Sequence, residues 1–178
     1  MDFRKAISDN DLAPFQDLKE EAFWWRPDAF SWSVGDCIAH LNAAFLAYWN
    51  GPLNNLTAAP SFLEKVYPFA GFLGQWMQNE MGANSKKRYK TPKLFKAEVF
   101  SGEVSAVLHE FQDNHAKLLG KLPELEAFIQ QGRKVYSPVS SLFVFPLKNA
   151  LGIILEHEKR HLKQAQELMK HPDFPKQL

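Results

Sequence analysis

His157 and His161 stand four residues apart in LGIILEHEKRHLKQAQELM, residues 151–169, a run dense in apolar and helix-forming residues. On an α-helix each residue advances about 100°, so side chains at this spacing lie about 40° apart and point the same way. Two imidazoles so placed can close on one metal ion. The letters HEKRH also satisfy the H-E-x-x-H pattern of zinc proteases, in which the glutamate acts as general base and a third metal ligand follows downstream. In residues 162–178 Glu167 and His171 could in principle take that role, but both lie on or just beyond the same helix, without a returning segment to carry them back. The position of the motif therefore disfavours a zincin.

A third imidazole lies upstream. His40 sits in WSVGDCIAHLNAAFLAYW, residues 32–49, with Asp36 one helical turn before it and Ala43, Ala44 and Ala47 on or beside its face. Alanines there leave room that leucines would fill, so a cavity is expected beside the histidine. Taking His157 as the reference, Ala150, Ile154, His161, Gln164 and Leu168 fall within about 60° of it, which turns both late histidines inward. Buried imidazoles need partners for their nitrogens: either a hydrogen-bond network in the core or a metal. Three neutral imidazoles from two helices suit Zn²⁺, Ni²⁺ or a similar ion and leave coordination positions open to water or substrate.

Other residues could serve the same site. Glu158 lies about 60° around the helix from His161 and is a candidate base, although a solvent-facing or salt-bridged glutamate has the same sequence signature. Gln164 projects beside His161, where an amide could orient water or substrate. Asp36 could accept a hydrogen bond from His40 or simply cap its helix with Ser33. Cys37 lies near His40 and reads more readily as a small apolar residue than as a nucleophile. His109 and His115, six apart, cannot share a helix face and read as surface or edge residues.

The elements that would position these side chains are helical almost throughout. Segments 8–25, 33–50, 62–81, 101–121 and 146–170 carry apolar residues at three-and-four spacing. Ser33 and Asp36 form a capping-box start for the second, and Asn50-Gly51-Pro52 a stop. Pro14 puts the regular part of the first segment late, and Pro146 suits the first turn of the last. Residues 82–100 have no sustained period and read as a long crossover. Residues 131–145 read as an extended connector packed on the helices, with a short strand as the alternative. The expected fold is all-α, one domain over 1–178.

Composition restricts the partners. With 46% hydrophobic and 23% charged residues and a net charge of +1, the chain exerts no global pull on nucleic acid or membrane, and neither is expected as a partner. A single cysteine and an N-terminus without an apolar signal-type run make a reducing cytoplasm the expected location. The run 85–93 holds Lys86, Lys87, Arg88, Lys90 and Lys93. Without a broader basic surface it reads as a solvated loop rather than a nucleic-acid footprint, and Lys86, Lys87 and Arg88 could draw the carboxylates of a small cosubstrate. Phe72 and Trp76 are the aromatics expected at the surface, where they could support a homodimer.

The WSVGDCIAHL stretch, the crossover containing TPKLFK and the late HEKRHLKQ together resemble the DinB-like superfamily over nearly the whole chain. The resemblance implies a four-helix bundle with a long connection between its second and third helices, plus here an extra helical segment. It also implies a divalent metal held by one histidine of the second helix and two of the last, which fall on His40, His157 and His161. Characterised members include bacillithiol- and mycothiol-dependent transferases and isomerases, in which the metal activates a low-molecular-weight thiol. A metal-dependent transferase or hydrolase acting on a small molecule is thus the leading expectation. A non-catalytic metal-binding protein and a helical interaction protein with merely packed histidines are the alternatives.

Overall fold

The computed structural model describes residues 2–8, 12–56, 59–83, 85, 87, 90–95 and 103–175. Seven α-helices and one hairpin make up the regular structure of these residues: α1 (Phe3–Ser8), α2 (Glu20–Phe23), α3 (Val34–Tyr48), α4 (Phe62–Val66), α5 (Ala70–Met81), α6 (Val104–Gln130), β1 (Lys134–Ser137), β2 (Ser140–Pro146) and α7 (Leu147–Leu168). The fold is predominantly helical, as expected.

The start of α3 is the most fully determined junction. Ser33 Oγ accepts from the Asp36 backbone N–H at 3.0 Å while the Asp36 carboxylate accepts from the Ser33 N–H at 2.8 Å, closing a capping box. Arg26 then clamps the same carboxylate with two bonds of 2.7 and 2.8 Å. Burial alone would push the Asp36 pKa up, but the bonds from Arg26 and Ser33 outweigh it and hold the carboxyl below its ordinary range. Gly35 completes the fit, because a β-carbon there would collide with the Trp24 and Phe23 rings.

α7 is the central element and packs against α3, α5 and α6, while α3 also packs on α6. Contacts show that α3 and α7 run in opposite directions. Trp32, just before α3, stacks on His161, whereas Phe45 and Tyr48 at the far end of α3 share a core with Ile153 and Ile154. That core also takes in Leu118, Leu122 and Leu125 of α6. A second core gathers Val34, Ile38 and Leu41 with Val107, Leu108 and Phe111 and the end of α7. The three histidines lie where the two cores meet.

Several elements differ from the sequence expectation. Segment 8–25 is not one helix: among its described residues Pro14 leaves only a 3₁₀ turn at Ala13–Phe15, and a single helical turn follows at α2. Segment 62–81 divides into α4 and α5 around Tyr67-Pro68-Phe69, since the residue before a proline resists helical geometry. α6 runs well past residue 121, through Pro123, and stops just before Gly132, whose φ of 71° suits glycine. Residues 134–146 form an antiparallel hairpin rather than a featureless connector, with β-branched and aromatic residues paired Val135 to Phe145 and Tyr136 to Val144. The crossover 82–100 is described only in part; within it, residues 93–95 form a 3₁₀ turn.

Candidate metal centre

Three Nε2 atoms converge at the α3–α7 contact. His157 Nε2 lies 3.2 Å from His40 Nε2 and 3.1 Å from His161 Nε2. One ligand atom from each ring falls within 4.8 Å of the others. The rings stand nearly perpendicular to one another, at interplanar angles of 81°, 73° and 89°.

The other ring nitrogens fix the protons. His40 Nδ1 donates to the Phe95 carbonyl at 2.7 Å, and His161 Nδ1 donates to Gln164 Oε1 at 3.1 Å. In neutral imidazoles both Nε2 atoms are then left as bare lone pairs, and both face His157. His157 can offer a single proton from Nε2, so a direct hydrogen-bond network satisfies at most one of the two contacts. A cation satisfies all three. The spacing agrees with this: at a metal–nitrogen distance of about 2.0–2.1 Å, nitrogens sit about 2.9 Å apart at right angles and about 3.3 Å apart at the tetrahedral angle. The observed 3.1 and 3.2 Å from His157 to its two partners fall between these limits, while the three ligand atoms as a set lie within 4.8 Å of one another, so a shared ion would draw His40 and His161 together.

Electrostatics keeps the rings in the ligating form. Burial lowers the His40 pKa, against a smaller opposing effect of the Phe95 bond. Burial is also the leading cause at His157, far below its ordinary value, with His161, His40 and Arg160 adding repulsion. His161 is depressed to about 3 by burial and by the proximity of His40 and Arg160. Protons therefore compete poorly for these lone pairs near neutrality.

The surroundings orient the rings. Trp32 stacks on His161 at 5.3 Å and 21° and meets His40 edge to face at 4.9 Å. Arg160, one turn from His157, donates to the backbone carbonyls of Glu80 and Lys87, fastening the end of α5 and part of the crossover to α7. Beside the histidines opens a cleft of about 990 Å³ lined by residues of α3, α5, β2, α7 and the crossover.

A family model of the DinB superfamily matches residues 8–165. The chain belongs to the DinB superfamily. No curated protein and no solved structure matches it significantly.

Within this DinB-superfamily chain, the three histidines singled out in the sequence are brought together, and Gln164 bonds to His161. Ala44 lines the cleft as its small size suggests, and so do Ile154 and Leu168. Asp36 does not orient His40: its carboxylate is committed to Ser33 and Arg26, and the Phe95 carbonyl takes the His40 proton instead. Cys37 is fully buried among apolar side chains, which pushes its thiol pKa up and leaves it protonated. Glu158 is only 3% exposed and meets His115 Nε2 at 3.1 Å while its residue lines the cleft. His115 is thus a buried-side partner rather than a surface residue; His109 is exposed as expected. Lys87 pairs with Glu80 at 2.9 Å, while Lys86 and Arg88 lie outside the described residues. The Phe95 carbonyl was beyond sequence reasoning, because a backbone group carries no signature. Trp32 had one: it directly precedes the capping serine of the helix that carries His40.

Proposed function

We propose that this protein is a metal-dependent enzyme that acts on a small molecule, as a thiol-dependent transferase or a hydrolase, with His40, His157 and His161 as its metal ligands. The observation that carries this reading is the pair of lone-pair-bearing Nε2 atoms aimed at a third, on the wall of a cleft large enough for a substrate. A divalent ion such as Zn²⁺ or Ni²⁺, when bound, supplies a Lewis acid that lowers the pKa of a thiol or water.

The chain's own groups do the rest. Phe95 and Gln164 hold the tautomers of His40 and His161, so that both Nε2 atoms are available without a proton being displaced. Trp32 fixes the ring planes. Glu158, anchored by His115 and beside His157 in the chain, is the cleft-lining carboxylate to which we assign acceptance of the proton lost by the nucleophile. A thiol-dependent activity places the protein in a reducing compartment, consistent with its single cysteine.

Elemental analysis of gently purified protein is the test. About one divalent ion per chain is expected in the wild type, and almost none in a His40→Ala, His157→Ala variant. Glu158→Gln should keep the metal and lose turnover in a thiol-consumption assay against electrophilic small molecules. Metal-free wild-type protein, with equal metal uptake by the double variant, overturns the reading.

A further inference from the structure

The cleft is not uniform along its length, and the difference follows the axis of α7. Toward the N-terminal end of that helix, its wall is apolar: Ile153 and Ile154, with Ala44, Tyr48, Trp76 and Phe143 contributed by α3, α5 and β2. Toward the C-terminal end Arg160, Lys163, Gln164 and His171 join the lining beside the apolar Leu168 and Trp32, with Lys90 from the crossover. Glu167 also lines this end; its carboxylate bonds Lys170 at 2.8 Å and also feels the Lys163 ammonium, and the basic groups outnumber it there. The histidines stand between the two halves. At 1.5 Å per residue, Ile153 and Lys163 are separated by about 15 Å along the helix, the length of a molecule with a bulky body and a separate head.

The two halves offer opposite chemistry to a ligand. Aromatic and aliphatic walls gain by removing apolar surface from water. Lysine and arginine rims attract negative charge, and the two groups that Arg160 bonds are neutral backbone carbonyls. Ala44 is the narrowest determinant of the apolar half. It lies one turn beyond His40 on the same helix face, is nearly fully buried, and lines the cleft where a larger residue would fill it.

We infer that the cleft takes an amphipathic anion, its apolar or aromatic body lodged against Ala44, Trp76 and Ile153 and its anionic group toward Lys90 and Lys163, with the histidine triad facing the bond between them. That the bond reacts rests on the enzymatic reading above; that the cleft binds such a ligand does not. The orientation assigns the electrophilic or acyl portion of the substrate to the apolar half and a carboxylate-bearing portion to the basic half.

Two fluorescent probes of nearly the same body test this: neutral N-phenyl-1-naphthylamine and anionic 8-anilinonaphthalene-1-sulfonate, each titrated into metal-loaded wild type and into the His157→Ala variant. Both should bind one per chain, the anion more tightly, and retention of binding in His157→Ala separates the ligand site from the metal. Ala44→Phe, with metal content as its check on folding, should weaken both probes by about tenfold or more. Trp76→Ala, at a half-exposed position that tolerates truncation, should weaken both to a smaller degree. Lys90→Gln with Lys163→Gln should erase the preference for the anion, at about two- to fivefold per lysine, and leave the neutral probe unchanged. Phe69→Ser with Phe72→Ser, on the outer surface, should leave both affinities as in wild type. Undiminished probe binding in both Ala44→Phe and Trp76→Ala, loss of binding in the Phe69, Phe72 variant, or equal affinity for the two probes in wild type overturns the inference. Wild type that takes up no more metal than the His40→Ala, His157→Ala variant, yet binds the probes in this pattern, overturns the enzymatic reading and leaves the ligand site standing.

Discussion

His157 Nε2 faces two imidazole nitrogens whose protons are on the far side of their rings, and this arrangement depends on groups that never touch the metal position. Gln164 is the most accessible of them. With its amide removed, His161 can turn or change tautomer, and loss of such a supporting bond commonly weakens metal binding by about 10–100-fold. Gln164→Ala should therefore show that drop in competition with a chromophoric chelator, while its circular dichroism stays that of the wild type. An unchanged affinity would mean that Trp32 alone sets the His161 ring. The histidines themselves were legible in the sequence because four-residue spacing on a helix is a geometric statement. The proton acceptors divided: Gln164 was visible as a same-face neighbour, whereas the Phe95 carbonyl reaches His40 only because the crossover folds back over α3. Glu158 and His115 show the complementary limit, since each is ordinary on its own helix and the two meet only through α6–α7 packing.

At the scale of elements, the N-terminus of α3 sets where His40 stands, and it is held by one carboxylate with two duties. Asp36→Ala removes the capping box and the Arg26 clamp together, and should cost about 1–2 kcal/mol in chemical denaturation. The sign of its pH dependence follows from the lowered pKa. The Asp36 contribution is fully present above the unfolded value of about 3.9 and is lost as pH falls through the lower folded value, so the acid limb of the stability curve should flatten in Asp36→Asn. Gly35→Ala should also destabilise, by about 1–3 kcal/mol, because the colliding atoms belong to Trp24 and to the fully buried Phe23 ring rather than to a flexible chain end. A neutral or stabilising result in urea titration would show that α3 can shift to accommodate a methyl group. α3 and α7 were readable to within two residues at each end, since capping chemistry and a long unbroken period mark them. The first segment and the 62–81 segment were not, because apolar spacing continues across Pro14 and Pro68 while the backbone cannot. The hairpin was hidden for a different reason: its strands are short, and β2 has consecutive exposed apolar residues where a half-buried strand would alternate.

For the whole molecule, the proposed metal at the junction of the two cores would tie α3 to α7 midway along both. Because the ion binds only the folded arrangement, a concentration a thousandfold above its dissociation constant adds about 4 kcal/mol, and its removal by excess chelator should lower Tm by about 10 °C. An unchanged Tm would favour histidines that are merely packed. No helix of the described residues is long and apolar enough to cross a membrane, yet one face is markedly apolar. Phe62 on α4, Phe69 before α5 and Phe72 on α5 are 75%, 68% and 76% exposed, and Trp76, Leu142 and Phe143 continue the surface along α5 and β2. α4 and α5 both pack on the hairpin, which gathers these side chains on neighbouring elements. With about 150–250 Å² for each aromatic side chain, the exposed rings alone present about 500–600 Å². A standard interface needs about 800 Å² per partner, within reach once Leu63, Val66, Val139 and Leu142 are added. We propose that a second copy of the chain covers this face through a two-fold contact. Trp76, Val139 and Phe143 belong both to it and to the cleft wall. Sedimentation equilibrium should return twice the chain mass for wild type and the single-chain mass for Phe69→Glu with Phe72→Glu, whose positions lie outside the cleft lining and whose metal content should be unaltered. A wild type that sediments as a single chain at tens of micromolar, or a double variant that still pairs, would assign that surface to something other than self-association.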